Sequence, residues 1–402
     1  MKKWFIVFLV IALGITPALA RDAAKKKATA PAKAVKQIAA KPSPQPTIAK
    51  PAPPQAPYKA FIVVEAQTGQ MLEGENVHQP LPPASITKLM LSAIVLDKLE
   101  SGQIKLDDKI TASQEASSMG GSQVYLKPGE VFTLEEMMKA VMVASANDSA
   151  YAVAEFVAGS RDAFVDLMNE KAKALHMADS RFSSMHGLPP SEGVEPDLSS
   201  CHDLALLARD LVTHPKILEW TSLKTEPFRE GTLVMRNHNH LMDRFSGMDG
   251  LKTGFYREAG FSIVTTAKRN NLRLIAVVMG SPAAKIRDAI TEEKLKKHFA
   301  LVQMATVVKK GDIVDKDVAL PDCKQKTLKP VAAAEFSYPV ARDKKQFLTK
   351  DINLSPEVKG EIKEGQRLGE MVIRFNKEEV GKVDLVSPVN IPKAGFFYRL
   401  FN

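Results

Sequence analysis

Three apolar, β-branched runs constrain this chain more than any other feature: Ala60-Phe61-Ile62-Val63-Val64-Glu65-Ala66 early, and Phe261–Ala267 with Leu272–Met279 late. Each has strand length and composition, and the last two read as central strands of a sheet. Between the early run and the late pair, helical periodicity dominates. Strands first, a helical block in the middle and strands again at the end describe an α+β domain, an antiparallel sheet flanked by helices with an inserted helical subdomain. Gln67-Thr68-Gly69 reads as a turn and Gln70-Met71-Leu72-Glu73 as the strand returning from the first run.

Within the helical block the signals are local. Ile86, Leu89, Met90, Ala93, Ile94 and Leu96 fall close to helical spacing and Gly102 marks a stop, which predicts a helix from about Ser85 to Ser101. Residues 103–132 read as short strands and turns, with Met119-Gly120-Gly121-Ser122 as a flexible loop. Thr133-Leu134-Glu135-Glu136 is a capping box that opens a helix. That helix should break near Ser145-Ala146-Asn147, because Asn147 and Asp148 are good N-caps for a second helix running to Gly159. Further helices are expected at about Asp162 to His176, Ser200 to Val212 and Ala284 to Gln303. From about Ala305 the pattern becomes short strands punctuated by prolines. Leu368–Phe375 and Val380–Pro388 form a hairpin in what reads as a small all-β domain spanning 305–402.

At 402 residues the chain has room for two cores. Lys2, Lys3, the apolar run Phe5–Leu13 and Ala18-Leu19-Ala20 make a secretory signal peptide over 1–20, cleaved before Arg21. Residues 21–57, mostly Ala, Pro and Lys, offer little to bury and read as a disordered linker. The formal charge of +9 is carried by ten basic residues against Asp22 within 1–57, so the body from Tyr58 is neutral overall. A neutral body argues against nucleic-acid binding. The basic linker suits weak contact with an anionic envelope or membrane surface, or a simple spacer. The final stretch, 396–402, is too short for an amphipathic anchor, so the expected product is an exported periplasmic or cell-envelope protein without one. Cys201 and Cys323, far apart in sequence, give no disulfide framework and are expected to stay unpaired.

The chemistry lies in three short motifs. Ser85 and Lys88 are one helical turn apart and share a face, where a lysine kept partly neutral by burial can take the serine's proton. Ser145-Ala146-Asn147 sits at a helix junction, where side chains can face a cleft. Lys252-Thr253-Gly254 precedes a strand, with Gly254 permitting close backbone approach of a ligand. In that order, S-x-x-K, S-x-N and K-T-G resemble the penicillin-recognising serine acyl-transferases.

The surroundings, Leu126-Lys127-Pro128-Gly129, His186-Gly187-Leu188, Asn237-His238-Asn239, Asp249–Gly254 and Ala276–Gly280, resemble one branch, the low-molecular-mass penicillin-binding proteins that are D-alanyl-D-alanine carboxypeptidases. The resemblance runs from about Ala60 to the end and implies a β-lactamase/transpeptidase-like catalytic domain over 58–304, followed by the family's C-terminal β-domain. It also implies roles. Ser85 is the nucleophile acting on peptidoglycan stem peptides, and Lys88 is its base. Ser145 relays the proton and Asn147 orients substrate and Lys88. Lys252 and Thr253 hold the terminal carboxylate, with Gly254 between them and the oxyanion hole formed by the N–H groups of Ser85 and Phe255. β-Lactams are the expected covalent inhibitors, and no cofactor or metal is required. Arg287 matches a family arginine near the last helix, and carboxylate recognition would lean on it because the position between Asn237 and Asn239 is His238. Tyr256 stands where the family usually has a small hydroxyl residue.

Other readings are separable. A D,D-endopeptidase would use the same chemistry on crosslinks. A class A β-lactamase needs a water-activating glutamate, and Glu195-Pro196-Asp197-Leu198-Ser199 only superficially offers one. His238 and His240 lack the third ligand a zinc peptidase needs. A non-catalytic wall-binding module would have no use for the serine and the two lysines.

Overall fold

The computed structural model describes residues 56–189 and 193–395; the expected signal peptide over 1–20, most of the expected 21–57 linker and 396–402 fall outside the described residues. The first strands, β1 (Ala60–Glu65) and β2 (Met71–Glu75), form the expected hairpin, with Phe61 opposite Glu75. A single 3₁₀ turn, Ala84–Thr87, leads into α1 (Lys88–Glu100). The helix foreseen from Ser85 is therefore two pieces, and Ser85 lies in the tighter one.

The 103–132 region contains β3 (Lys109–Thr111), β4 (Val131–Thr133) and, between them, a short helix that sequence reading passed over, α2 (Gln114–Ser117), capped by Ser113. The capping box is present: Thr133 and Glu136 bond reciprocally at the start of α3 (Leu134–Lys139). This helix widens into one π turn, Ala140–Ala144, and stops where Ser145 turns left-handed at φ 59°. Next come α4 (Asn147–Ala158), α5 (Arg161–Ala174), α6 (Cys201–Leu211) and an unforeseen α7 (Pro215–Thr221). Asn147 and Asp148 do not cap α4; Ala146 occupies the cap without a side-chain bond. Asp148 instead accepts from the backbone N–H groups of Val124 and Leu126, which fixes the neighbouring loop.

A small ribbon, β5 (Thr225–Phe228) and β6 (Leu233–Arg236), precedes the long strands β7 (Met248–Tyr256), β8 (Gly260–Arg269) and β9 (Leu272–Ser281). The main sheet runs β2-β1-β9-β8-β7, wholly antiparallel, so the late pair is central as expected and β7 forms an edge. Alternation then divides the core. Ile62, Val64, Ile275 and Val277 face α1 and the helical subdomain. Phe61, Val63, Leu274, Ala276 and Val278 face α8 (Ala284–Leu301), where Ile290, Leu295 and Phe299 cover them.

The last helix ends two residues before the expected Gln303, because Val302 begins β10 (Val302–Val308) with no intervening loop. The remaining strands are β11 (Val318–Ala319), β12 (Thr327–Leu328), β13 (Val331–Ala332), β14 (Phe336–Ala341), β15 (Leu348–Leu354), β16 (Arg367–Phe375) and β17 (Glu378–Val386). They make an all-β C-terminal region in which β16 and β17 are the expected hairpin and β10 pairs with β14. Cys201 and Cys323 are free and buried in different clusters. Among the described residues no helix is long and apolar enough to cross a membrane.

Candidate active site

The 3₁₀ turn, the helix break at Ser145 and the edge strand β7 converge on one cavity of about 280 Å³. Ser85, Ser145, Thr253, Gly254, Phe255 and Arg287 all line it, together with Ser122, His238 and His240. Lys88 reaches Ser85 from the buried side. Its Nζ lies 3.2 Å from Ser85 Oγ, 2.6 Å from Asn147 Oδ1 and 2.8 Å from the His186 carbonyl oxygen. A neutral amine has two N–H donors and one lone pair. Donation to Asn147 and His186 leaves that lone pair for the Ser85 hydroxyl proton.

The electrostatics favour that neutral form. Lys88 is wholly inaccessible, and burial, then the charge of Lys252, hold its amine well below the ordinary lysine value, against opposition from Asp197 and Asp148. Lys252 is buried on β7, and burial followed by the Arg287 guanidinium brings it down to about 7. Arg287 projects from α8, with Nε and Nη2 on Asp288 Oδ1 and Nη1 on the Ser262 carbonyl. His238 stays neutral near pH 7, because burial, then Lys252, lowers it to about 4. The local positive charge therefore comes from Lys252 and Arg287.

Close packing seats Ser85. A Cβ at Gly254 would fall 2.4 Å from the Pro83 carbonyl oxygen, so what approaches this glycine is the chain's own reactive turn as well as the cavity. A Cβ at Gly187 would fall 2.0 Å from the Ala84 carbonyl oxygen. Thr87 donates to the buried carboxylate of Asp197 at 2.9 Å, and Ser183 and Ser184 converge on that same carboxylate. The loop expected to be flexible is instead tied down: Asn147 Nδ2 donates to the Gly120 carbonyl at 2.7 Å, and Asn147 N to that of Ser122 at 2.7 Å.

Sequence reading left Ser122 in a loop expected to be flexible, set His240 aside as a zinc ligand, and gave His186 and Gly187 no task beyond their place in a family-like stretch. For Ser122 the only hint was its place in a short polar, glycine-containing segment. Glu195 does not reach the serine cavity: its side chain is largely exposed, paired with Arg181, and lines a neighbouring hollow. A larger cavity of about 630 Å³, bordered by Arg209, Asp210 and Arg273, contains none of the three motifs. Phe255 is half exposed at the serine cavity and stacks on Phe261 with centroids 4.0 Å apart.

The sequence pattern of the family described as D-alanyl-D-alanine carboxypeptidase matches residues 47–283. The chain belongs to that family. Residues 303–393 match the pattern described as penicillin-binding protein 5, C-terminal domain. The D-alanyl-D-alanine carboxypeptidase DacF of Bacillus subtilis is 33% identical over 84% of this chain and 87% of its own length. For DacC of Escherichia coli the identity is 30%, over 87% of this chain and 88% of the relative. Among solved structures, penicillin-binding protein 3 from Streptococcus pneumoniae superposes with a TM-score of 0.72 at 26% identity, over 83% of this chain and 99% of that one. Penicillin-binding protein D2 from Listeria monocytogenes, solved in an ampicillin-bound form, gives 0.55 at 29% identity, over 63% of this chain and 98% of that one. This member of the carboxypeptidase family is a serine-type peptidase with the fold of the low-molecular-mass penicillin-binding proteins.

Proposed function

We propose that this enzyme removes the terminal D-alanine from peptidoglycan pentapeptide stems through an acyl-enzyme on Ser85. The observation that carries the assignment is the fully buried Lys88 amine 3.2 Å from Ser85 Oγ, held by two further acceptors that point its lone pair at the serine. Ser85 Oγ attacks the carbonyl between the two D-alanines and its proton passes to Lys88. The resulting oxyanion sits against the N–H groups of Ser85 and Phe255, each worth ~3–4 kcal/mol in sites of this kind. The C–N bond then breaks, and Ser145 passes a proton to the departing amine while Asn147 holds Lys88 and the substrate amide. Lys252, Thr253 and Arg287 take the terminal carboxylate, with Gly254 allowing the strand to lie against the reactive turn. Water, deprotonated through Lys88, releases the shortened peptide and restores Ser85.

A β-lactam carbonyl would acylate the same serine, but its leaving nitrogen stays tethered and blocks the water. The ampicillin-bound form of the Listeria relative supports that extension. Catalytic residues 58–304, a β-domain over 305–402, export directed by residues 1–20 and weak envelope contact through the basic linker complete the proposal.

The test is mass spectrometry of a pentapeptide-containing muropeptide incubated with the enzyme and with Ser85→Ala. Loss of one alanine with the first and none with the second is the expected result. Cleavage of crosslinked dimers without alanine release would replace the assignment with an endopeptidase, and no change in either substrate would return the wall-binding reading.

A further inference from the structure

Outside the serine cavity, one cluster has the chemistry of a metal site. His78, in the loop after β2, Asp179, in the turn after α5, and His202, in the first turn of α6, each offer a ligand atom, and the three atoms lie within 4.8 Å of one another. We propose that these three side chains bind one zinc-class divalent ion that staples the loop leading to Ser85 onto the helical subdomain.

The donor set selects the metal. Two imidazole nitrogens and one carboxylate oxygen suit zinc, with water completing a tetrahedron, whereas calcium and magnesium take oxygen ligands. Metal–ligand bonds of about 2.1 Å place tetrahedral ligands roughly 3.4 Å apart. His78 Nδ1 and Asp179 Oδ2, hydrogen-bonded at 2.9 Å, must part by about 0.5 Å to admit the ion, and the two imidazole centroids are 4.5 Å apart. The adjustment falls to His78, the most exposed of the three.

The surroundings orient the other two ligands. Asp203, almost wholly buried, lies 3.1 Å from His202 Nδ1 through Oδ1. Accepting the Nδ1–H there leaves the lone pair on Nε2, the arrangement by which a carboxylate sets a metal-binding histidine. The other Asp203 oxygen is fixed by Asp179 N and Ser180 Oγ, both at 2.8 Å. Ser200 Oγ donates to Asp179 Oδ2 at 2.8 Å, and His202 N donates to the Val77 carbonyl at 2.9 Å. The cluster therefore joins three chain segments that already touch.

The position explains its use. His78 precedes the nucleophile by seven residues, and between them Leu81 exchanges backbone bonds with Ser199 at the entrance to α6. Asp179 precedes by seven the His186 whose carbonyl anchors Lys88. An ion here would hold both segments that frame the reactive turn while taking no part in the chemistry.

The test uses the untagged, metal-stripped protein titrated with zinc by calorimetry, with thermal unfolding and cobalt spectra in parallel. Uptake of one equivalent, a rise in Tm and the visible bands of four-coordinate cobalt are expected. His78→Ala should abolish all three while unfolding at the Tm of the stripped parent, and Asp203→Asn should weaken uptake about 10–100-fold. His238→Ala should bind as the parent does. Absence of saturable uptake at micromolar zinc would overturn the proposal, as would uptake that survives His78→Ala or disappears with His238→Ala. The cluster would then be only an imidazole–carboxylate hydrogen-bond network.

Discussion

Replacing Gly187 with alanine tests whether the reactive turn is positioned by packing from the His186-Gly187-Leu188 segment. Gly187 has φ +76°, and an added Cβ would lie 2.0 Å from the Ala84 carbonyl oxygen, 2.4 Å from its carbon and 3.1 Å from Ser85 N. All three are backbone atoms, so no side chain can swing aside. Reaching an ordinary contact of 3.4 Å requires the two segments to part by about 1.4 Å. Left-handed strain contributes ~1–2 kcal/mol and overpacking against a fixed neighbour ~1–3 kcal/mol, so stability should drop by ~2–5 kcal/mol. Moving Ser85 by about 1 Å from Lys88 and the oxyanion donors should slow acylation about 100-fold. Gly102→Ala is the control, because Gly102 has φ +71° and nothing within 4 Å of its added Cβ, so it suffers the strain alone. Acylation by a fluorescent penicillin under single-turnover conditions, with urea unfolding alongside, reads both quantities. The reasoning is refuted if Gly187→Ala acylates at the parental rate, or loses no more stability than Gly102→Ala.

Two further predictions concern charge. Lysine is a cation only below its pKa, and Lys252 is lowered by burial and Arg287 to about 7, so kcat/KM for a carboxylate-ended substrate should fall as pH rises through about 7. Lys252→Arg keeps the charge and should move that limb upward; a pH profile identical to the parent's would count against Lys252 as the carboxylate partner. Glu73 on β2 accepts from Lys294, Lys297 and His298 on α8 at 2.6, 2.9 and 2.9 Å. Burial raises its carboxyl, but those donors outweigh it and hold the group at about 2. Because the folded value is depressed, the stabilisation is complete above the ordinary value of 4.5 and is lost as pH falls through about 2. A lowering of that size corresponds to ~3 kcal/mol, which solvent screening reduces to ~1–2 kcal/mol. Glu73→Gln should lose that amount in urea unfolding at pH 7, with the gap closing toward pH 2. A gap independent of pH would exclude the ion-pair explanation.

How much of this could be read beforehand follows from the range of each interaction. Ser85 and Lys88 are one turn apart, and the capping box at Thr133 spans four residues, so both were legible from spacing. The central strands were legible because burial on both faces leaves an unbroken apolar run. The roles proposed for Asn147 and Lys252 carry no local mark and rest on resemblance, since Lys88 and Arg287, which act on them, lie far away in sequence. Asn147 was misread as a cap because the same amide that suits a cap also suits bridging Lys88 and the Gly120 carbonyl. The π turn before Ser145 was illegible because Ala140–Ala144 is equally good α-helix sequence, and tertiary packing decides where the helix ends. The His78, Asp179 and His202 cluster draws on three segments, with no two ligands at a metal-motif spacing.

The two lysines and Arg287 form one electrostatic unit, and on the proposed assignment this unit links binding to chemistry. With the cavity free of substrate, the positive field of Lys252 helps keep Lys88 deprotonated, and that of Arg287 in turn weakens the hold of Lys252 on its own proton. A substrate carboxylate entering beside Thr253 and Arg287 offsets both fields. Lys252 then keeps its proton to higher pH, which strengthens the carboxylate contact, and Lys88 becomes more basic when the scissile carbonyl is in place. Charge on Ser85 Oγ would thus develop mainly in the presence of a ligand bearing the carboxylate. The effect is confined to acylation, because the carboxylate departs with the D-alanine before water attacks.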